Sequence, residues 1–457
     1  MVRARSAHSV TRRHCGLAAA GLALLAGAAL GACRAAPRAP VASAPNILLL
    51  VADDLGWGDV GYHGGQILTP NIDALAREGV ELDRFYTTPV CTTTRAGLLT
   101  GRYPNRMGLH AEGLAKGGIF DKGLPPAERT FAEVLADAGY AHRMAVGKWH
   151  LGSASRAFHP LDQGFTGFYG LLGGAIDYFS HDEPRFGPDW HRDYADIQEQ
   201  GYSTELLANE AVRFIESVPA GDRFLLYLSF NAPHLPLSAK PEDVAAYLAL
   251  PGWSEAWRRQ GHQKPEYAAM VTSLDREIGR VLAALAAKGL AEDTLVWFLS
   301  DNGGATSYGS NLPLRGAKES MYEGGIRVPA VIRWPRRLAG GRKLDALTGY
   351  VDLLPTLAAA AGYTGPLPPL DGIDLLPILA GEQPAPERAL YPDRFAVVTR
   401  QWKLVKDELY DLLSDPGEQT DVAAQHPEIV ARLRKQLAEF RALTGPSYLV
   451  KPAPARP

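Results

Sequence analysis

One thiol stands out in this chain of 457 residues, because Cys91 is the only cysteine after residue 33. Its segment, TTPVCTTTRAGLLTGRYPNR, predicts a helix that starts near the cysteine and ends at Gly101. Polar neighbours such as Thr92 and Arg95 disfavour an apolar core position for the thiol. A lone thiol forms no disulfide within the body of the protein, and a helix N-terminus favours a negative group beside it. These features indicate a functional cysteine.

Carboxylates follow two of the apolar strands that the sequence predicts. NILLLVA runs into Asp53 and Asp54, and TLVWFLS runs into Asp301 and Asn302. Three carboxylates and an amide oxygen suit a hard cation such as Ca²⁺ or Mg²⁺, whereas no Cys/His pair has zinc spacing. Either acidic pair alone is also typical of an ordinary turn or helix N-cap.

Cations and proton carriers follow further elements. MAVGKWH ends with Lys148 and His150, RFLLYLSF runs into NAPH with His234, and the glycine-rich segment NLPLRGAKESMYEGGIRVP carries Lys318. Any one of them alone is typical of a solvated surface group. Because ligands of open α/β sheets lie at the carboxyl ends of the strands, the polar groups after these strands are expected to meet in one crevice that binds an anion.

The elements that must position these groups alternate between apolar strand segments and helix-period segments. That alternation predicts an α/β fold, with a large and mostly parallel sheet flanked by helices. Short strand-like pieces and a last helix, PEIVARLRKQLAEFRAL, predict a smaller C-terminal α+β subdomain. The expected organisation is a catalytic domain over 46–369 and this subdomain over 370–457.

The N-terminus is expected to be an export segment rather than part of the fold. Residues 1–33 have arginines followed by a short apolar run, which is typical of a signal peptide. LGAC at its end resembles a lipobox, so Cys33 is expected to carry lipid, and the arginine pair in TRRHCG resembles a twin-arginine signal. Residues 34–45 form a small-residue linker. A periplasmic or cell-surface location follows, with no nucleic-acid partner indicated by the net charge of −3.

Six motifs in order resemble those of the sulfatase family, which belongs to the alkaline phosphatase superfamily. They are CTTTRAGLLTGRY, AVGKWHLG, NAPHLPL, SDNGG, PLRGAKESMYEGGIRVP and LYDLLSDPGEQTDVA. The resemblance covers about residues 46 to 440 and is strongest to the arylsulfatase B, or N-acetylgalactosamine-sulfatase, branch. It implies a sulfuric-ester hydrolase that acts on a sulfated sugar or an aryl sulfate.

The resemblance also implies a role for each candidate residue. Cys91 would be oxidised by a formylglycine-generating enzyme to Cα-formylglycine, whose hydrate attacks the sulfur of the ester. Arg95 would hold the hydrate, Lys148 and Lys318 would bind sulfate oxygens, His234 would protonate the leaving alcohol, and His150 would take the proton of the second hydroxyl. One Ca²⁺ would be bound by Asp53, Asp54, Cys91, Asp301 and Asn302.

One departure keeps two other functions open. The sulfatase signature carries proline two residues after the cysteine, and this chain has Thr93 there. If the thiol were not matured, the protein would be a non-catalytic binder of sulfated glycans. The same metal and nucleophile would also serve a phosphate or phosphonate ester hydrolase of this superfamily. Substrate contacts are expected from the loop 152–200, at Tyr178, His181, Asp182, Trp190 and His191.

Overall fold

The computed structural model describes residues 44–109, 123–251 and 265–445. The predicted signal peptide, Cys33 and most of the linker lie outside these residues. Within them, no helix is both long and apolar enough to cross a bilayer.

Strands and helices alternate along the chain, as the sequence predicts. The strands are β1 (Asn46–Ala52), β2 (Val80–Leu82), β3 (Phe85–Tyr86), β4 (His142–Lys148), β5 (Gly167–Leu171), β6 (Asp182–Glu183), β7 (Gly187–Pro188), β8 (His191–Arg192), β9 (Ala195–Asp196), β10 (Phe224–Ser229), β11 (Thr294–Ser300), β12 (Ala330–Arg333), β13 (Arg342–Leu344), β14 (Thr348–Gly349), β15 (Ala389–Asp393), β16 (Ala396–Thr399), β17 (Trp402–Val405) and β18 (Glu408–Asp411). The helices are α1 (Pro70–Glu78), α2 (Cys91–Thr100), α3 (Phe131–Asp137), α4 (Ser203–Ser217), α5 (Pro241–Leu248), α6 (Pro265–Ala287), α7 (Glu323–Ile326), α8 (Leu353–Ala360), α9 (Leu376–Leu379) and α10 (Pro427–Ala442).

A ten-stranded mixed sheet organises the molecule, in the order β13-β2-β12-β11-β1-β10-β4-β5-β8-β9. Its central strands β11, β1, β10, β4 and β5 are parallel neighbours. A separate four-stranded antiparallel sheet, β15-β16-β17-β18, lies near the C-terminus. The expected fold class, a large mostly parallel sheet with helices and a smaller C-terminal α+β part, is therefore confirmed.

Two hydrophobic cores cover the two faces of the large sheet. Alternate residues of β1 enter different cores, with Ile47 and Leu49 in one and Leu48 and Leu50 in the other, because successive strand side chains point to opposite faces. A central parallel sheet buried on both faces explains why β1 reads as an unbroken apolar run.

The segment VELDRFY forms two strands rather than the single strand that its composition predicts. β2 joins the large sheet, and β3 pairs with β14 in a small separate sheet. A turn separates them at Asp83, whose carboxylate lies 3.1 Å from Arg327 and 3.1 Å from Lys343. These ion pairs stabilise a chain reversal that hydrophobic periodicity does not reveal.

Candidate active site

The four strand ends with polar residues meet at one edge of the large sheet. β11, β1, β10 and β4 are adjacent and parallel, so their carboxyl ends share that edge. Asp54 is tied across it to the residues that follow β11. Its backbone N–H donates to Asp301 Oδ1 at 3.2 Å, and Asn302 Nδ2 donates to Asp54 Oδ1 at 2.8 Å. The expected crevice is present.

Cys91 is the first residue of α2 and lies against this acidic cluster. Its Sγ is 3.4 Å from Asp53 Oδ1 and 3.8 Å from Asp54 Oδ1, and the residue is 4% exposed. The helix starts where its sequence predicts and ends at Gly101, whose φ of +68° favours glycine. Burial, with the nearby charge of Asp301, raises the pKa of the thiol. The side chain of residue 91 therefore faces carboxylates as a neutral thiol.

Two lysines, one buried and one half-buried, face two of the carboxylates. Lys148 Nζ lies 2.6 Å from Asp53 Oδ2, and Lys318 Nζ lies 2.8 Å from Asp54 Oδ2. Burial alone would raise the pKa values of Asp53 and Asp54, but the facing cations outweigh burial and hold both below their usual range. The two ammonium groups thus approach the same buried cluster from different elements.

The guanidinium group of Arg95 forms hydrogen bonds with Asp301 rather than with residue 91. Its Nε and NH2 donate to Asp301 Oδ2 at 3.0 and 2.6 Å, and NH1 donates to the Lys148 carbonyl at 2.9 Å and to Ser229 Oγ. Burial still raises the pKa of Asp301, to about 6, because the charge of Asp53 adds to burial and Arg95 offsets only part of it. In this structure Arg95 orients a carboxylate of the cluster.

Two imidazoles border the cluster. His234 Nδ1 lies 2.8 Å from the Leu235 carbonyl, and its Nε2 lies 3.7 Å from Asp54 Oδ2. The His150 ring packs against Gly174: a Cβ at position 174 would lie 2.5 Å from His150 Nε2, so a larger residue there would displace the ring. Burial lowers the pKa values of both histidines. Burial therefore favours the neutral form of both imidazoles.

The residues of the cluster fit a hard cation. Asp53, Asp54, Cys91 and His234 offer ligand atoms that all lie within 4.8 Å of one another. Asn302 is completely buried, and its Oδ1 has no hydrogen-bond partner among the described residues. A buried acceptor without a donor is costly, and a cation would satisfy it. The thiol is the one soft donor beside the hard carboxylate oxygens and the imidazole nitrogen.

Sequence reasoning missed three supporting residues. Ser300 Oγ accepts from the backbone N–H of Leu55 at 3.0 Å and donates to the Asn302 carbonyl, and Ser229 bonds Arg95. Tyr308 donates its hydroxyl to Asp54 Oδ2 at 3.3 Å. The signal for the serines was a polar residue at the last position of an otherwise apolar strand.

The expectation of substrate contact is wrong for three aromatic residues of the loop 152–200. Tyr178 is buried and donates its hydroxyl to the carbonyls of Asn231 and His234 at 2.7 and 2.8 Å. Trp190 and His181 are buried and stacked on one another, with ring centroids 4.4 Å apart. Of these three, Tyr178 supports the segment that carries His234. The loop's other two candidates, half-buried, are Asp182 and His191.

Thr93 takes part in a hydroxyl cluster just before and within α2. Its Oγ1 is 2.5 Å from Thr88 Oγ1 and donates to the Val90 carbonyl at 3.1 Å. Thr94 Oγ1 accepts from the backbone N–H of Thr88 at 3.0 Å. Side-chain hydrogen bonds fix the turn at the position where the sulfatase signature has proline.

Comparison with known proteins assigns the family. The sulfatase family model matches residues 45–363, and the model for the C-terminal part of N-sulphoglucosamine sulphohydrolase matches residues 317–443. The chain belongs to the sulfatase family, and it is a sulfuric-ester hydrolase. The resemblance read from its six motifs is therefore confirmed.

Three relatives indicate how closely the chain follows the family. It is 37% identical to arylsulfatase A of Homo sapiens, with 88% of each chain covered. It is 35% identical to N-acetylgalactosamine-6-sulfatase of Canis lupus familiaris, over 79% of this chain and 70% of that one. The crystal structure of Ps i-CgsB superposes with a TM-score of 0.77 at 31% identity, covering 88% of this chain and 94% of that one.

Proposed function

We propose that this sulfatase removes sulfate from a sulfated carbohydrate, with Cα-formylglycine at position 91 and one bound Ca²⁺. The observation that carries the proposal is the position of Cys91 Sγ, 3.4 Å from Asp53 Oδ1 within a buried set of carboxylates. A soft thiol matches a hard cation poorly, whereas the hydroxyls of an aldehyde hydrate match it well. Maturation of the thiol removes the one mismatch in the site.

The cation has a defined set of ligands in this proposal. Four protein side chains besides residue 91 would hold it, and these are Asp53, Asp54, Asp301 and Asn302. Their all-oxygen donors suit Ca²⁺, and the unpartnered Oδ1 of Asn302 supports the assignment. Bound Ca²⁺ supplies Lewis-acid stabilisation of negative charge on a sulfuryl oxygen.

The remaining side chains bind the ester and move protons. Lys148 and Lys318 hold the sulfate oxygens and stabilise the charge that builds up on the transferred group. Arg95 keeps Asp301 in position through two hydrogen bonds to one carboxylate oxygen. His234 gives a proton from Nε2 to the leaving alcohol, while its Nδ1 donates to the Leu235 carbonyl and fixes the ring. His150 takes the proton of the second hydroxyl at residue 91.

The carbohydrate substrate is supported by two relatives. One curated relative is named for N-acetylgalactosamine 6-sulfate hydrolysis, at 35% identity. Ps i-CgsB, at 30% identity and a TM-score of 0.77, has been solved in complex with k-i-k-neocarrahexaose. We extend the substrate class, a sulfated sugar, to this chain.

Export and maturation complete the proposal. The leader in residues 1–33 would carry the chain to the periplasm or cell surface, with a lipid at Cys33 as its membrane anchor. A formylglycine-generating enzyme is then a required partner, and it reads the segment around Cys91. Labelling with a radioactive fatty acid tests the anchor, because a Cys33→Ala variant should lose the label. Label retained in that variant would contradict a lipid at Cys33.

Sulfate release from defined sulfated oligosaccharides tests the activity. Wild-type protein co-expressed with a formylglycine-generating enzyme should release sulfate, and Cys91→Ala should not. A Cys91→Ala protein that binds the same oligosaccharides would show that the fold survives the substitution. Equal turnover by both proteins would contradict the proposal.

A non-catalytic binder of sulfated glycans is the second candidate, and Thr93 is the residue that favours it. If Thr93 prevents maturation, wild-type protein from its own organism should bind sulfated glycans, keep the thiol and release no sulfate. Thr93→Pro should then restore both the aldehyde and turnover. Turnover by the unaltered protein excludes this candidate.

A further inference from the structure

A cleft opens between the catalytic part of the chain and the C-terminal antiparallel sheet. Its volume is about 420 Å³, which lies within the usual range for small-molecule sites. One wall is the segment 319–322, and the other comprises the β15–β16 and β17–β18 turns with Phe395 and Lys406.

The cleft begins next to two residues of the candidate active site. Val90, which lines it, precedes Cys91, and Glu319, which also lines it, follows Lys318. The backbone N–H of Glu319 donates to the Pro89 carbonyl at 2.9 Å and joins the two segments. The cleft is therefore lined by the chain neighbours of Cys91 and of Lys318, which both belong to the candidate active site.

Lys406 presents an uncommitted cation to the cleft. It lies in the turn between β17 and β18 with a φ of +55°, a conformation that costs a lysine free energy. Its side chain is exposed, and no described residue forms an ion pair or hydrogen bond with its ammonium group. By contrast, the nearby Arg315 is stacked on Tyr322 at 3.9 Å and donates to the hydroxyl of Tyr410.

Glu319 presents an uncommitted acceptor on the opposite wall. Its φ is +72°, its side chain is exposed, and within the described parts of the chain its carboxylate has no partner. The aromatic ring of Phe395 lies half-buried between the turns. The cleft combines a free donor, a free acceptor and an aromatic ring that the guanidinium groups of Arg394 and Arg441 approach to 5.7 and 5.8 Å, and these groups match a sugar ring with an anionic substituent.

We propose that this cleft binds a second sugar unit of the substrate, whose anionic group accepts hydrogen bonds from Lys406 and whose hydroxyl donates to Glu319. The inference rests on the proposed function and adds that the substrate is an oligosaccharide with charge on more than one unit. Glu319 and Asp393 also line the cleft, so an anionic glycan needs the ammonium group of Lys406 there. The shared chemistry is a carboxylate or a second sulfate on the neighbouring unit.

Binding to the Cys91→Ala protein tests the inference without relying on turnover. Calorimetry would compare three sulfated disaccharides, in which the second unit is neutral, carries a carboxylate or carries a second sulfate. Lys406→Ala should weaken binding of one or both charged disaccharides about tenfold and leave the neutral one unchanged. The disaccharide with the larger loss identifies the anion, and Lys406→Arg should retain most of the affinity.

Controls separate this inference from the proposed function. Lys435→Ala, at an exposed position on α10, should bind all three disaccharides like the parent. In matured protein, Lys406→Ala should raise KM for the charged disaccharides while KM and kcat for an aryl monosulfate stay unchanged. An equal loss for the neutral disaccharide, or no loss for either charged one, would overturn the inference even if sulfate is released. Glu319→Ala, which removes the acceptor, should weaken binding of all three, and unchanged binding would contradict the proposed contact with Glu319.

Discussion

Single residues define the chemistry of this sulfatase more sharply than any element does. The sequence placed Asp53, Asp54, Asp301 and Asn302 at strand ends, and the structure brings them to one edge of the sheet. The acidic pairs could be found because polar residues interrupt apolar runs. The hydrogen bonds between Arg95 and Asp301 could not be predicted, because a guanidinium group has several donors. The sequence does not reveal which acceptor is buried beside it.

Replacing Asn302 tests the cation site at the residue scale. Wild-type protein should unfold at a higher temperature when Ca²⁺ is added, because a ligand that binds only the folded state stabilises it. Asn302→Ala removes the unpartnered oxygen and should weaken Ca²⁺ binding at least about tenfold, as measured by calorimetry. Asn209→Ala, which alters an amide that accepts from Arg280, is the matched control. Identical affinities in the variant and wild-type protein would contradict the ligand assignment.

Elements position these residues through contacts that no local pattern reports. Four of the five central strands, β1, β4, β10 and β11, could be predicted from their apolar runs, but their order could not, because strand order depends on pairing between distant segments. Composition also led to a wrong prediction of substrate contact at Tyr178 and Trp190. Both are amphipathic residues that occur in surface loops and in cores, and here both are buried, Tyr178 against the His234 carbonyl and Trp190 against the ring of His181.

A buried ion cluster links the C-terminal sheet to the segment that carries Lys318. Lys403 on β17 is completely buried and lies 3.0 Å from Glu323 Oε1 and 2.8 Å from Glu418 Oε1. Glu323 begins α7, and the carbonyl of Gly325 in that helix accepts from the backbone N–H of Gly303. These contacts connect Lys403 in the C-terminal sheet, through Glu323 and Gly325, to Gly303, the residue that follows Asn302.

Lys403→Met should therefore impair both stability and the site. Glu418 loses its buried cation and Glu323 keeps only Arg327, 3.5 Å away, which should lower the free energy of unfolding by about 3–5 kcal/mol in a denaturant titration. Arg388→Met is the control, because it breaks a buried pair with Asp352 at 2.9 Å outside this path. At matched stability, Lys403→Met should lose more kcat than Arg388→Met. Equal kcat values would make the cluster purely structural.

The edge of the large sheet should show acid-dependent stability at Glu81. His63 and Lys343 lie 3.1 and 2.8 Å from its Oε1. Burial would raise the pKa of Glu81, but these hydrogen bonds outweigh it and the pKa falls below 4.5. A lowered folded-state pKa contributes stability above the unfolded value and loses it as the pH falls.

Glu81→Gln should accordingly be less stable than wild-type protein at pH 7, by about 1–2 kcal/mol. The difference should shrink as the pH falls through 4.5. Denaturant titrations at several pH values would measure it. A difference that is constant across this range would exclude the proposed coupling.

At the scale of the whole molecule, the C-terminal part shares a core with the catalytic part. Leu390, Val397 and Leu404 of the small sheet, with Leu433 and Phe440 of α10, belong to the same apolar cluster as one face of the large sheet. The change in amino-acid composition near residue 370 predicts a C-terminal subdomain. Its boundary stays a prediction. A sequence shows where the composition changes, but it does not show which apolar surface the following segment covers.

Truncation at residue 369 should prevent folding for this reason. The shortened chain would expose the face of the core that the C-terminal sheet and α10 cover, and burial of such apolar surface contributes about 25 cal/mol per Å². The truncated protein should be recovered only in the insoluble fraction, whereas a full-length protein with Arg388→Met should remain partly soluble. A soluble, cooperatively unfolding truncated chain would show that residues up to 369 fold independently.

The mass of the tryptic peptide 85–95, measured with sulfate release on the same preparation, tests the central claim most directly. The peptide contains Cys91 between the cleavage sites at Arg84 and Arg95. We predict that active protein carries an aldehyde there, with sulfur and two hydrogens lost and one oxygen gained, and that turnover rises with the converted fraction. Sulfate release at full rate from protein whose peptide retains only the thiol would contradict the account.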